Sequence, residues 1–156
     1  MTKKHTGFYN EGDNAGITPD NLYMLLDVAY NRNQNPTSGS IMLHGMCDIF
    51  AETLRKEFGY ELKELHDEDG YLVHAFATTK KDGKTYYIDA RGVTTIYDEL
   101  TSAFDDFFET KQARNTLLPY NEENPNVYCK EDIEIGQNVA NFLIKNYRSY
   151  YDVTQC

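Results

Sequence analysis

Three residues have the types and the chain order that thiol chemistry requires: Cys47, His74 and Asp89. A cysteine sulfur attacks a carbonyl carbon as its thiolate. An imidazole can take the thiol proton and later return it to a leaving group. A carboxylate can hold that imidazole in one orientation and stabilise it when charged. On this reading Cys47 is the nucleophile, His74 the base and Asp89 the orienting group. The chemistry they support is acyl transfer through a thioester.

The elements around them must position these groups. Cys47 follows Gly45 and heads an apolar stripe of Ile49, Phe50, Leu54 and Phe58, which predicts a helix stopped at Gly59. A sulfur at a helix start lies near unpaired backbone N–H groups and the positive end of the helix dipole, both of which favour a thiolate. The period then changes from helical to two. Tyr60–His66, Tyr71–Thr79 and Thr85–Ala90 read as three antiparallel strands, joined by turns at DEDG and KDGK. With Asp82-Gly83 as a two-residue turn, Lys81 pairs with Lys84 and Phe76 falls opposite Asp89. His74 and Asp89 then share a face as diagonal neighbours about 7–8 Å apart at Cα, within reach of a hydrogen bond. A register slip of one residue would separate them. The helix carrying Cys47 is expected on that same face.

Gly45-Met46-Cys47 opening a helix, His74-Ala75-Phe76 on a strand and Tyr87-Ile88-Asp89 on the next together resemble the transglutaminase-like core of the papain-like thiol enzymes. The resemblance covers roughly residues 43–93. It implies an antiparallel sheet with the nucleophile-bearing helix packed on it. It also implies a Cys-His-Asp triad attacking an amide or ester carbonyl, with the acyl group passing to water (peptidase, amidase or deamidase) or to an amine. Phe76 stands where family members often carry Trp, and the chain has no Trp at all. Asp48 places a negative charge directly after the nucleophile, which opposes thiolate formation unless that side chain caps the helix. The Cys47 N–H is the natural oxyanion donor. Gln34, Ser40 and His44 are guesses for a second.

The remaining sequence sets bounds. At 156 residues the chain makes one α+β domain over 18–156, preceded by a polar arm over 1–17. Thr18-Pro19-Asp20 opens a first helix, 31–44 and 109–130 read as loops, and Thr95 with Asp98 resembles a capping box for a helix bearing Ile96, Leu100, Phe104 and Phe107. Ile133–Tyr147 is a final amphipathic helix with Ile133, Val139, Phe142, Leu143 and Ile144 turned inward. Fifteen Lys and Arg against twenty-five Asp and Glu give a net charge of −10, which argues against nucleic acid and anionic membrane as partners. A protein or peptide substrate is expected. Cys47, Cys129 and Cys156 form neither a disulfide framework nor a zinc motif, and the N-terminus shows no apolar leader, so a reduced cytoplasmic setting is expected. Cofactor and metal are expected to be none: His44 and Cys47 lack a third ligand, and the acidic stretch after His66 lacks calcium-loop spacing. Arg91 is expected to pair with a nearby acid or with Asp89 itself. The rival to an enzyme is an acidic binding or inhibitory module that keeps the scaffold without the activity.

Overall fold

Alternating side chains from residue 60 to residue 94 build the sheet that frames the candidate site. In the computed structural model, which describes residues 5–7, 46–110, 114–121 and 130–155, the strands are β1 (His5–Gly7), β2 (Glu61–His66), β3 (Leu72–Lys81), β4 (Lys84–Asp89), β5 (Gly92–Thr94) and β6 (Leu118–Pro119). They form one antiparallel sheet in the order β1-β5-β4-β3-β2-β6. The helices are α1 (Cys47–Phe58), α2 (Tyr97–Thr101), α3 (Lys130–Asn146) and α4 (Arg148–Tyr151), with 3-10 turns at Ser102–Phe107 and Val153–Gln155. The fold is α+β. The predicted helix at Thr18, the loop at 31–44, and Cys129 and Cys156 lie outside the described residues.

The β3–β4 register is the predicted one, from Lys81 opposite Lys84 to Ala77 opposite Ile88. Asp82 and Gly83 both adopt positive φ, 53° and 77°. This is the backbone that a type I′ turn requires, and Asp-Gly supplies it at low cost. Gly59 ends α1 in the left-handed region at φ 77°, its N–H donating to the Arg55 carbonyl.

Several expectations are corrected. Part of the N-terminal arm is a strand: His5–Gly7 pairs with Gly92–Thr94. Among the described residues the sheet therefore has six strands rather than three, because short runs such as GVT and LP carry too few alternations to register as strands. The helix from residue 96 to 107 is broken, with α2 ending at Thr101 and a 3-10 turn following. Its start is tied by Thr94 rather than Thr95: the Thr94 hydroxyl accepts from the Ile96 N–H and donates to Glu99. Leu100 and Phe104 are buried, but Ile96 and Phe107 are exposed. Ile133 in α3 is also exposed, while Val139, Leu143 and Ile144 face the core.

Two hydrophobic layers cover the sheet. On one face α1 packs on the sheet, where Leu62, Ala75, Ala77, Tyr86, Ile88 and Val93 join its core, and α3 packs on α1. On the other, Leu65, Phe76 and Leu100 cluster, joined by Tyr87 and Tyr97. Small residues at 75 and 77 let α1 approach β3 closely. Where α3 crosses α1 the helices approach closely at Gly136: a Cβ there would lie 2.8 Å from Met46 Sδ and 3.0 Å from Ile49 Cδ1.

Candidate active site

His74 and Asp89 meet as the register requires. His74 Nε2 lies 3.0 Å from Asp89 Oδ2, and both side chains are buried. The imidazole stacks on Phe104 with centroids 4.4 Å apart, and on Phe76, two residues along the same strand, at 5.8 Å. Two aromatic rings thus fix its plane while Asp89 fixes its rotation about that plane.

Cys47 approaches β3 by a different route from the one expected. Side chains alternate along β3, so His74 and Phe76 turn to one face and Ala75 and Ala77 to the other. The body of α1 packs on the Ala75–Ala77 face, opposite the imidazole. The expectation that helix and histidine share a face is therefore overturned. The sulfur, at the helix end, meets the strand at backbone level: Cys47 Sγ accepts a hydrogen bond from the Ala75 N–H at 3.3 Å. Ala75 lies beyond the last β3–β4 pair, at Ala77 and Ile88, so the sulfur sits where the two strands part. Asp89 is close enough for its charge to act on the thiol.

The electrostatics favour a neutral thiol at rest. Burial pushes the Cys47 thiol up to about 12, and the neighbouring Asp48 and Asp89 charges push the same way. Hydrogen bonds from the Ala75 and Asp48 backbone N–H groups act in the opposite direction but do not offset the loss of water. Asp48 is buried in the first turn of α1 without being the N-cap, a position held by Met46.

Arg91 pairs with Asp89, one of the two partners expected of it. It is almost wholly buried and wraps Asp89. Its Nη2 lies 2.6 Å from Asp89 Oδ2, its Nε 3.2 Å from both carboxylate oxygens, and its backbone N–H donates to Oδ1 at 2.9 Å. The same guanidinium donates to the Glu99 and Leu100 carbonyls and lies over the Phe104 ring. Asp89 Oδ2 is therefore shared between His74 and Arg91. Burial alone would raise the Asp89 carboxyl, but Arg91 and His74 reverse that and hold it well below the usual carboxylate range. Phe104 was visible only as one apolar position in a helical pattern. Nothing in that pattern pointed to a ring on the imidazole.

The acidic stretch after His66 is partly structural. His66 Nε2 lies 2.6 Å from Glu64, its Nδ1 2.9 Å from the Gly70 carbonyl, and Glu68 accepts from the Glu109 and Thr110 N–H groups. Among the described residues no cluster of three or more His, Cys, Asp or Glu side chains could hold a metal ion. No helix among them is long and apolar enough to cross a membrane.

No family model, curated protein or solved structure matches this chain.

Proposed function

We propose that the protein is a thiol-dependent acyl-transfer enzyme with a papain-like, transglutaminase-like core, acting on an amide or ester carbonyl of a protein or peptide. The observation that carries this reading is the 3.0 Å bond between His74 Nε2 and Asp89 Oδ2, with the Cys47 sulfur on the amide of the next residue along the strand. The strand histidine and the carboxylate on the neighbouring strand are bonded at one end of the sheet, and the helix-start cysteine lies on the amide of the residue next to that histidine. With Nε2 turned to Asp89, Nδ1 is the nitrogen suited to take the Cys47 proton.

The reaction then runs in two halves. The S–H proton passes to His74 Nδ1 as sulfur bonds to the carbonyl carbon, and the carbonyl oxygen takes the negative charge. The Cys47 N–H, at the open start of α1, is the nearest built-in donor for that oxyanion. Nδ1 gives the proton to the departing amine or alcohol, leaving a thioester on Cys47. Water or an acceptor amine then attacks, its proton passing through Nδ1, and the thiol is restored. A reduced cytoplasmic compartment suits a nucleophile of this kind.

A second reading, a non-catalytic binding module on the same scaffold, draws on the burial of Cys47 and the upward push on its thiol. One experiment separates the two. The full chain is incubated with a series of p-nitrophenyl esters and peptide amides, and acyl adducts are mapped by mass spectrometry. The enzyme reading expects an adduct on Cys47, abolished by Cys47→Ala and slowed at least about 100-fold by His74→Ala. Folded Cys47→Ala retaining all turnover, or no adduct on Cys47 with any donor, leaves the binding module.

A further inference from the structure

Building on that reading of the site, we infer that Arg91 is a positioning residue that sets its resting protonation state, cancelling the Asp89 charge so that Cys47 and His74 both wait in neutral form. A preformed thiolate–imidazolium pair would then be absent at rest, and the proton would leave sulfur only as the carbonyl is attacked.

The inference rests on charge balance in a space closed to water. A lone carboxylate buried beside an imidazole draws a proton onto the ring, because the resulting ion pair is neutral and the unpaired charge is costly. Here that compensation is already supplied. Arg91 faces Asp89 with two side-chain nitrogens and its own amide, and its Nη2 approaches Oδ2 more closely than His74 does, 2.6 Å against 3.0 Å. Arg91 is itself anchored on the Glu99 and Leu100 carbonyls of α2, so the fork is held in place from its far side. Guanidinium stays charged at any working pH.

The other groups around the imidazole do not upset this balance. Phe104 from the 3-10 turn and Phe76 from β3 carry no charge. Leu65 lies opposite His74 on β2. Tyr151 of α4 donates its hydroxyl to the Ala90 carbonyl, and burial keeps that hydroxyl protonated. From α1 come Cys47 and Asp48, and the carboxylate of Asp48 disfavours a thiolate beside it. Among the described residues, the charges acting on the sulfur, Asp48 and Asp89, are thus both negative, and the Arg91 guanidinium is bonded to Asp89.

The test is the titration of the His74 ring by NMR in the full chain, using selectively 15N-labelled histidine. In Arg91→Met the Asp89 charge is no longer cancelled, so the ring should keep its second proton to a pH at least about one unit higher than in the parent chain. Arg91→Lys, which keeps the charge but loses the fork, should titrate close to the parent. Asp89→Asn, which leaves the guanidinium uncompensated, should move the titration the opposite way, and it gives a reading even if Arg91→Met fails to fold. Unchanged His74 titration in Arg91→Met and Asp89→Asn would overturn the inference, as would a parent chain showing a Cys47 thiolate absorbance near 240 nm at neutral pH that Cys47→Ala removes. These measurements need no substrate. They can fail while acyl adducts still form on Cys47, or hold where no adduct forms, so the two proposals stand or fall separately.

Discussion

At Asp89 the site gains order and gives up freedom. Its carboxylate receives His74 and Arg91 together, and a group this buried stays ionised only because both partners stabilise the charge. The consequence for stability has a definite sign. The folded-state value lies below the ordinary 3.8, so the unfolded chain binds more protons in acid. The contribution is present above about pH 4 and is lost as pH falls through that value toward the folded one. Cys47 behaves oppositely. Its thiol is raised from 9.0 to about 12, so its contribution is intact below pH 9 and is lost as pH rises through about 12. Urea midpoints measured from pH 3 to pH 11 should fall at both ends. Asp89→Asn should flatten the acid limb and Cys47→Ala the alkaline one. Parallel profiles for variant and parent would contradict the burial and pairing described here.

Among the elements, the crossing of α3 over α1 governs how well Cys47 is placed. Gly136 faces Met46 and Ile49, the residues on either side of the nucleophile turn. Both blocking atoms are ends of flexible side chains, so one added methyl group can be accommodated by small shifts, and Gly136→Ala also gains helix propensity. A branched chain cannot fit so easily. Gly136→Leu is expected to cost about 1–3 kcal/mol in chemical unfolding. It should also displace the start of α1, visible as altered amide shifts at Cys47 and Ala75. Gly136→Leu with the stability of Gly136→Ala would show that the two helices do not touch there. The hairpin needs no such argument, since Asp82-Gly83 satisfies its turn locally.

Across the whole molecule, the C-terminal segment acts as a strap over the sheet. The Tyr60 hydroxyl donates to the Tyr151 carbonyl at 2.8 Å and accepts from the Val153 N–H at 3.0 Å, and the Tyr151 hydroxyl donates to the Ala90 carbonyl at 2.8 Å. These bonds join the residue before β2, the residue after β4, the end of α4 and Val153 beyond it. Phe50 of α1 packs edge-on against the Tyr151 ring, 5.3 Å between centroids. Tyr60→Phe removes a hydroxyl whose two partners are buried, so a loss of about 1–3 kcal/mol is expected. Tyr151→Phe should loosen the Ala90 turn that carries Asp89 and Arg91, which hydrogen exchange at Arg91 would report. Unchanged exchange there would show that the strap does not support the site.

The sequence alone determined what depends on local physics. The alternation through residues 72–89 and the Asp-Gly turn specify a hairpin whose register brings His74 beside Asp89, because strand period and turn type leave one low-energy pairing. The start and stop of α1 follow from its apolar stripe and Gly59 in the same way. Tertiary structure decided the rest. It set the face of the sheet on which α1 packs, since Ala75 and Ala77 offer a shallow surface and Phe76 a full one, and neither signals a helix by type alone. It also decided that Phe104 lies on the imidazole, that the far side of Arg91 is anchored on the Glu99 and Leu100 carbonyls, and that residues 5–7 close the sheet edge. Each of these contacts joins residues whose meeting depends on how whole elements pack, and hydrophobic burial drives that packing without direction.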